Sequence, residues 1–329
     1  MSAAAPLARL DLWRYRVPMR GPAPVAEREG ALLAWQPAGR AHPLWSEAAP
    51  LPGFSAESLA DCLAALRRGL GEPPAWRDGV PVVAPDLPAA ARFALESGWL
   101  QMGARLGRVP QLRSATLISA QALASGAWPE IRGGAAKVKV GSDPDHEHHQ
   151  LRRLIGHLPP GARLRLDANR SLDHDGVARL LAGLESQPID YIEEPLLPGL
   201  SYAGWPERSP IPFAWDETLR EVPEASLHTP GLGAVVLKPM LTGLAGTHGW
   251  VQAAREAGCR VVLSAAYESN LTLDLYARLA EHWSLPGPHG LDTFGPWPCT
   301  LLEPLRSQPE HADRPVCDAT ALKHEERLL

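Results

Sequence analysis

The feature of this sequence that most constrains its fold is a repeat of short apolar runs, each closed by a polar residue. Successive polar ends lie 22 to 28 residues apart, which is the length of one strand followed by one helix. The six clearest runs span 135–140, 163–167, 189–193, 213–216, 234–238 and 260–264, and two further candidates, 115–120 and 291–294, flank them. The repeat predicts parallel strands joined by helices, and eight such units close into a (β/α)8 barrel.

The segments between the runs carry helical spacing. Between 148 and 158, leucine or isoleucine recurs at i, i+3, i+4 and i+7, which places one apolar stripe on a helix. An open doubly wound sheet is the competing arrangement, but it usually carries a glycine-rich phosphate turn after its first strand. The sequence contains no G-x-G-x-x-G and no Walker pattern, so we favour the barrel.

Residues 1–105 lack this repeat and are predicted to form a separate α+β capping domain. Apolar patterning predicts strands at 10–15 and 30–35 and helices at 56–70 and 89–100, with a proline-rich connection at 72–88. The barrel would then occupy 106–300. The polar, proline-broken segment 301–329 continues past it, and we expect this segment to pack back on the capping domain.

Composition excludes several classes of function. The net charge of −5 gives no basic surface for nucleic acid, and no run of about 18 apolar residues predicts a membrane span. Arg9 and Asp11 fall where a secretory signal needs an apolar run. The four cysteines lie far apart without a C-x-x-C pair, which argues against a zinc ribbon and against a disulfide framework. We expect an ordered cytoplasmic protein, compatible with a monomer, although the sequence leaves the oligomeric state open.

Three acidic residues, Asp167, Glu193 and Asp216, close successive predicted strands. The carboxyl ends of barrel strands surround a common mouth, so these carboxylates would converge there. Carboxylates held together repel each other unless a cation lies between them, and their oxygen atoms suit a hard divalent ion. The pattern predicts a Mg²⁺ site, in which Mn²⁺ could substitute.

Lysines accompany these acids. Lys137 and Lys139 share one face of their strand, because strand side chains alternate, and Lys238 closes a strand on the opposite wall of a closed barrel. A lysine beside a divalent cation can remove a proton next to a carboxylate, while the cation takes up the charge that develops. These residues favour a metal-dependent enzyme that acts on a small carboxylate substrate.

Five short motifs, taken in chain order, resemble one known family. They are Lys137-Val138-Lys139, Asp167-Ala168-Asn169, Glu193-Glu194-Pro195, Asp216-Glu217 and Lys238-Pro239. Each is weak alone, but together, at strand–helix spacing, they resemble the muconate-cycloisomerase-like branch of the enolase superfamily. Longer phrases at 45–59, 136–141, 164–170, 213–221 and 235–243 are similar to the o-succinylbenzoate synthase family of menaquinone biosynthesis. The similarity runs from about residue 30 to residue 293.

The resemblance implies a fold, a reaction and a set of roles. The fold is a (β/α)8-type barrel with an N-terminal α+β capping domain. The reaction is the dehydration of 2-succinyl-6-hydroxy-2,4-cyclohexadiene-1-carboxylate to o-succinylbenzoate by a hydro-lyase. Asp167, Glu193 and Asp216 would bind Mg²⁺. Lys139 would remove the α-proton and then help hydroxide to leave, while Lys238 would steady the anion from the opposite face.

The resemblance also implies supporting roles for a further set of side chains. Those that would contact the substrate or the catalytic residues are Lys137, Arg165, Asn169, Glu217 and Ser264. Arg20 and Gly53 lie in loops that would cover the substrate. Ala265 and Ala266 follow where the family often carries serines, which removes two possible hydrogen bonds.

Two alternatives remain open. The same barrel, with Lys139 and Lys238 as opposed acid and base, could racemise N-acylamino acids or epimerise dipeptides. A barrel without catalysis could serve as a binding or scaffold protein, although the retained acids and lysines speak against this.

Two neighbouring signals are assigned structural roles. Glu194 should support the site instead of binding the metal, because only alternate strand residues point into the mouth. The histidines at 146, 148 and 149 should belong to the solvated start of a helix and not to a zinc site.

Overall fold

Two sheets organise the chain in the computed structural model, which describes residues 6–21, 23–69, 73–103, 106–222 and 225–329. One is an antiparallel sheet of four strands formed by the two ends of the sequence, and the other is a parallel sheet of seven strands formed by its middle. The alternation of apolar runs and helical segments therefore produces the α/β architecture that it predicts.

The N-terminal part contains three strands of the antiparallel sheet and two helices. In order, its elements are β1 (Leu7–Pro18), β2 (Glu27–Pro37), β3 (Leu44–Ala48), α1 (Leu59–Arg68), the hairpin β4 (Ala75–Arg77) and β5 (Val80–Val82), and α2 (Ala89–Gly103). A capping box starts α1, because the Ser58 hydroxyl accepts the Asp61 amide and the Asp61 carboxylate accepts the Ser58 amide. The sequence does not reveal β3 or the hairpin, because runs of three to five residues are too short to show alternation.

The parallel sheet consists of strand–helix units that follow the predicted repeat. Its elements are β6 (Thr116–Ile118), α3 (Ala120–Ser125), β7 (Ala135–Lys139), α4 (Pro144–Ile155), β8 (Arg163–Asp167), α5 (His174–Leu181), β9 (Ile189–Glu193), α6 (Trp205–Arg208), β10 (Phe213–Trp215), α7 (Thr218–Glu221), β11 (Leu232–Leu237), α8 (Pro239–Thr242), α9 (Leu244–Glu256), β12 (Arg260–Leu263) and α10 (Asn270–His282). Each strand from β6 to β12 pairs in parallel with the next one along the chain. The six clearest apolar runs all coincide with strands.

The eighth position of the expected barrel differs from the prediction. Residues 291–294 form no strand; instead, His289 and Gly290 make single parallel bridges to residues beside the two edge strands. Two residues after Gly290, the side chain of Asp292 accepts the amide of Leu117 on β6 at 3.0 Å. A side chain thus takes the place of a backbone partner, and the strand-to-strand hydrogen bonds do not continue there. The strand predicted at 291–294 is therefore wrong.

The last strand, β13 (Leu322–Arg327), returns to the antiparallel sheet, whose order is β13-β1-β2-β3. It pairs with β1, so the end of the chain packs on the N-terminal sheet. A disulfide joins Cys299 to Cys317 in the segment that leads to β13. The spacing of the cysteines argues against a disulfide framework, and this pair departs from that expectation. A bridge between Thr300 and Val316 brings the two sulfur atoms together across a separation of 18 residues.

The domain limits at 1–105, 106–300 and 301–329 stay a prediction. The first limit adjoins residues 104 and 105, which lie outside the described part of the chain, as does residue 70 at the predicted end of the first helix. Among the residues that the structure describes, no helix is long and apolar enough to cross a membrane.

Two buried glutamates of the N-terminal part cap helices of the parallel-sheet part. Glu96 on α2 accepts the amide of Ala245 in the first turn of α9 at 3.0 Å. Glu47 on β3 accepts the amide and the hydroxyl of Ser269 and the hydroxyl of Thr272 at the start of α10. Both α9 and α10 are fully described, and neither has a capping hydrogen bond from the side chain of its own N-cap residue. Because a carboxylate satisfies free amides at a helix N-terminus and complements the helix dipole, these contacts stabilise the junction between the two sheets.

Replacing Glu96 by alanine is expected to lower the free energy of unfolding by about 1–3 kcal/mol, because the amide of Ala245 loses its acceptor. Denaturant titration followed by tryptophan fluorescence measures the change. Glu256→Ala, at an exposed position of α9, the helix that Glu96 caps, is the matched control and should have little effect. Equal losses in the two variants would contradict the capping role.

Candidate active site

A cavity of about 380 Å³ opens at the carboxyl ends of the parallel strands. The predicted site residues that line it are Lys137, Lys139, Asp167, Asn169, Glu217, Lys238 and Ser264. They belong to, or directly follow, five different strands: β7, β8, β10, β11 and β12. A cavity of this size suits a small-molecule ligand.

A single lysine joins the first two predicted acids. Asp167 and Glu193 end neighbouring strands and lie side by side in register. The Lys137 ammonium is 2.9 Å from Asp167 Oδ2 and 2.8 Å from Glu193 Oε2. Asp216, which follows the next strand, is ion-paired with Lys238. Each of the three acids is at most 4% exposed, so each needs a compensating positive charge nearby.

Burial and charge shift the pKa values of this cluster in different directions. Burial acts to lower the pKa of Lys137, but the charges of Asp167 and Glu193 outweigh it and hold that pKa well above its ordinary value. Burial likewise acts to raise the pKa of Asp167, but the charge of Lys137 holds it below its ordinary value. For Glu193, burial and the charges of Asp167 and Asp216 prevail over Lys137 and raise the pKa to about 8. The three acids are thus ion-paired with only two lysine side chains among the described residues, Lys137 and Lys238.

The donor chemistry of this cluster fits a hard divalent cation. Within the described ranges, no three acidic, histidine or cysteine side chains are spaced to hold a metal ion. The ammonium of Lys137 lies between Asp167 and Glu193, and that of Lys238 lies against Asp216. The structure therefore brings the predicted ligands to one place without coordination geometry. Three buried carboxylates are nevertheless a suitable oxygen-ligand set for such an ion.

The two lysines predicted for catalysis contact one ligand-sized space. Lys139 ends β7 and donates to Asn169 Oδ1 at 2.8 Å. Lys238 follows β11, four strands further along the sheet, and is held by its ion pair with Asp216. Because both line the cavity, a ligand there would be within reach of two groups able to exchange protons.

Glu194 supports the turn that follows β10. Its carboxylate accepts the amides of Asp216 and Thr218 at 2.8 and 2.7 Å and the Thr218 hydroxyl at 2.8 Å. Arg170 lies 3.3 Å from the same carboxylate. These bonds fix the backbone that carries Asp216 and Glu217, as the alternation of strand side chains predicts for Glu194.

Five predicted site residues lie outside the cavity lining: Glu193 and Asp216, which are buried in the acid cluster beside it, and Arg165, Arg20 and Gly53. Arg165 is 1% exposed, 3.2 Å from Asp190 and 2.7 Å from the carbonyl oxygen of Pro288. Arg20 and Gly53 are exposed and do not line the cavity. Neighbours of the last two do line it, namely Ala23, Pro24, Leu51 and Phe54. Both predicted loops therefore approach the cavity, but through other residues.

Three polar residues that line the cavity are not among the predicted site residues: Tyr267, Asp292 and Thr293. The sequence could have revealed Asp292, because it is a polar residue in the apolar run 291–294. Polar residues at the ends of barrel strands line the mouth of the barrel. Tyr267 follows Ala265 and Ala266, which also line the cavity and make this wall apolar. The position of Tyr267 depends on the path of the loop after β12, for which the sequence carries no periodic signal.

The fold and site define a class: an α/β protein with an acid–lysine cluster at the carboxyl ends of parallel strands and an antiparallel sheet in its N-terminal part. The family described as Enolase C-terminal domain-like matches residues 120–299. An o-succinylbenzoate synthase from Edwardsiella ictaluri (strain 93-146) is 33% identical over 320 residues, which cover 90% of this chain and 96% of that protein. The chain therefore belongs to the enolase superfamily and, within it, to the o-succinylbenzoate synthase family of lyases.

Solved structures share the fold. The o-succinylbenzoate synthase from Thermosynechococcus elongatus BP-1, complexed with Mg in its active site, has a TM-score of 0.70 at 24% identity, covering 92% of this chain and 97% of that one. A dipeptide epimerase from Methylococcus capsulatus, complexed with Mg ion, has a TM-score of 0.66 at 21% identity, covering 91% and 93%. At these identities the likeness shows the fold alone.

Glu268 lies buried behind the wall formed by Ala265, Ala266 and Tyr267. It accepts the amide of Ala266 at 2.5 Å and the hydroxyl of Tyr276 at 3.0 Å. Burial, only partly opposed by the charge of Arg28, raises the pKa of Glu268 to about 7.

Glu268→Gln is expected to make the free energy of unfolding less dependent on pH. The pKa of Glu268 is about 7 in the folded chain against an ordinary value of 4.5, so the folded state binds this proton more tightly. The protonated Glu268 therefore stabilises the folded chain by about 3 kcal/mol below pH 4.5. This stabilisation is lost as the pH rises from there to about 7. Glutamine mimics the protonated acid, so wild type should lose stability relative to the variant across this range. Denaturant titrations at several pH values test this, and parallel curves would contradict it.

Proposed function

We propose that the chain is an o-succinylbenzoate synthase, which dehydrates 2-succinyl-6-hydroxy-2,4-cyclohexadiene-1-carboxylate to o-succinylbenzoate in menaquinone biosynthesis. The observation that carries the proposal is the cavity in which Lys139 and Lys238 face one space beside three buried acids. The 33% identity to the Edwardsiella ictaluri synthase, across 96% of that protein, supports the choice of substrate.

The acids Asp167, Glu193 and Asp216 would hold a Mg²⁺ ion, for which Mn²⁺ could substitute. When bound, such an ion would draw negative charge from the substrate carboxylate and stabilise the charge that develops beside it. Lys137 and Lys238 now supply the positive charge that these acids need. With the acids compensated otherwise, both lysines could turn to the substrate.

Lys139 is the proposed base. As a neutral amine it would take the proton from the carbon next to the substrate carboxylate, and the electron pair of that C–H bond would stay on the substrate. The same lysine, now protonated, would give its proton to the departing hydroxyl group, so that water leaves and the ring becomes aromatic. Asn169, which accepts from the Lys139 ammonium at 2.8 Å, would orient it. Lys238 would stabilise the anion from the other side, partly by a cation–π contact.

The remaining residues would bind the substrate or shape the cavity. Glu217 and Ser264 line it directly, and Arg165 would support it from deeper in the sheet. The loops that contain Arg20 and Gly53 would cover it. We also infer that the bridges at 289 and 290 close the sheet into the (β/α)8-type barrel that the family membership leads us to expect.

A second candidate is racemisation of N-acylamino acids or epimerisation of dipeptides. One lysine would remove the α-proton and the other would return a proton to the opposite face. The observation that favours this reaction is the position of Lys139 and Lys238, four strands apart around one cavity. The dipeptide epimerase from Methylococcus capsulatus has the same fold.

Absorbance-monitored dehydration of the cyclohexadiene carboxylate tests the first candidate. Wild type with Mg²⁺ should turn over, and Lys139→Ala should lose about 10²–10⁴-fold in kcat because the base is missing. A chelator should abolish activity. Lys323→Ala removes an exposed lysine of β13 and is the matched control, with an unchanged rate expected. No turnover by wild type with Mg²⁺ would contradict the proposal.

Proton exchange in deuterated water separates the two candidates. If the second reaction is the physiological one, a dipeptide or N-acylamino acid should gain deuterium at its α-carbon, while the cyclohexadiene substrate loses no water. Lys238→Ala should abolish two-base racemisation, which needs an acid and a base on opposite faces, whereas it should leave part of a dehydration that depends on Lys139.

A further inference from the structure

Arg28 connects two parts of the chain that meet beside the cavity. It lies on β2 and is 1% exposed. A guanidinium group has five N–H donors, and here all five are used by backbone carbonyl oxygens. The acceptors are Glu29, Ala49 and Pro50 in the N-terminal part and Ala266 and Tyr267 in the loop after β12.

These contacts reach both walls of the cavity. Nε of Arg28 donates to the carbonyl oxygen of Tyr267 at 2.9 Å, and Nη1 donates to that of Pro50 at 2.7 Å. Pro50 directly precedes Leu51, and Leu51 lines the cavity, as do Ala266 and Tyr267. Arg28 itself does not line the cavity. One side chain outside the cavity therefore sets the separation of an N-terminal wall and the wall that follows β12.

The backbone of Tyr267 depends on this support. Its φ is +60°, in the left-handed region that a non-glycine residue seldom adopts unless contacts hold it there. Arg28 holds the carbonyl oxygen of Tyr267, and Glu268 accepts the amide of the preceding residue at 2.5 Å. Both sides of the strained residue are thus fixed, and its side chain is presented to the cavity.

We propose that Arg28 is a positioning residue for the substrate: it holds segment 49–51 and loop 265–267 at the separation that the substrate needs. The identity of the substrate rests on the proposed function, whereas the link between the walls rests on the contacts of Arg28 alone. Lysine cannot replace arginine in this role, because its three donors share one nitrogen atom and cannot reach both walls as a planar guanidinium does.

Arg28→Lys tests the proposal, since it keeps the buried positive charge that faces Glu268 while removing the link. The dissociation constant of o-succinylbenzoate, measured by calorimetry with Mg²⁺, and the KM of the substrate should each rise about tenfold, while kcat should change by less than about threefold. The matched control is Glu47→Gln. Glu47 is equally buried at the same junction, but its side-chain partners within the described ranges are Tyr15, Ser269 and Thr272, none of which lines the cavity. This control should lower the melting temperature and leave both constants unchanged.

An unchanged dissociation constant in Arg28→Lys would overturn the proposal. So would an equal rise in Glu47→Gln, because the effect would then come from general loosening of the junction.

Hydrogen exchange in the ligand-free protein gives a readout that does not depend on the reaction. Amide exchange in Arg28→Lys should accelerate at 49–54 and 264–268, and in Glu47→Gln at the start of α10 instead. If wild type fails to bind o-succinylbenzoate, the proposed function fails, while accelerated exchange at both walls still supports the positioning role. Unaltered exchange at either wall in Arg28→Lys overturns that role whatever the substrate is.

Discussion

Three buried carboxylates at the ends of β8, β9 and β10 set the main constraint on this structure. Carboxylates are stable away from water only when positive charge lies against them, and here Lys137 and Lys238 provide it. Burial, together with the charges of Asp167 and Asp216, nevertheless outweighs Lys137 and raises the pKa of Glu193 to about 8. A well-packed apolar core would stabilise the fold better than this buried cluster of charges does, so the cluster is not explained by stability. On the proposed function, these charges would serve to bind a divalent cation and a substrate.

The N-terminal part does more than contribute loop residues to the cavity. Glu47 and Glu96 reach across the junction to cap α10 and α9, and Arg28 joins carbonyl oxygens on both of its sides. These contacts are polar, directional and buried, so they fix the junction more specifically than apolar packing alone. As a result, the loops from the N-terminal part stand at a defined distance from the strand ends, and the cavity has a defined width.

Much of the fold could be predicted because burial imposes patterns on sequence. Strands covered on both faces must be apolar, which reveals β7 to β12, and polar residues at their ends reveal Lys139, Asp167 and Lys238. Where burial is weak, the pattern fails: β13 is a polar edge strand, and the eighth position holds two bridges instead of a strand. The disulfide and the places of Tyr267, Phe54 and Arg165 depend on the paths of loops and on long-range contacts, which no local pattern encodes. The same applies to Arg28, whose five acceptors are backbone atoms brought together only by folding.

Calorimetric titration of Mg²⁺ into chelator-treated protein tests the central claim, that Asp167, Glu193 and Asp216 form one divalent-cation site. Wild type should bind one ion per chain, and Glu193→Gln should lose that binding while keeping its fold, because it removes charge but little volume. Glu185→Gln, at an exposed position, should bind as wild type does. If Glu193→Gln binds Mg²⁺ as tightly as wild type, the ion lies elsewhere and the account of the acid cluster is wrong.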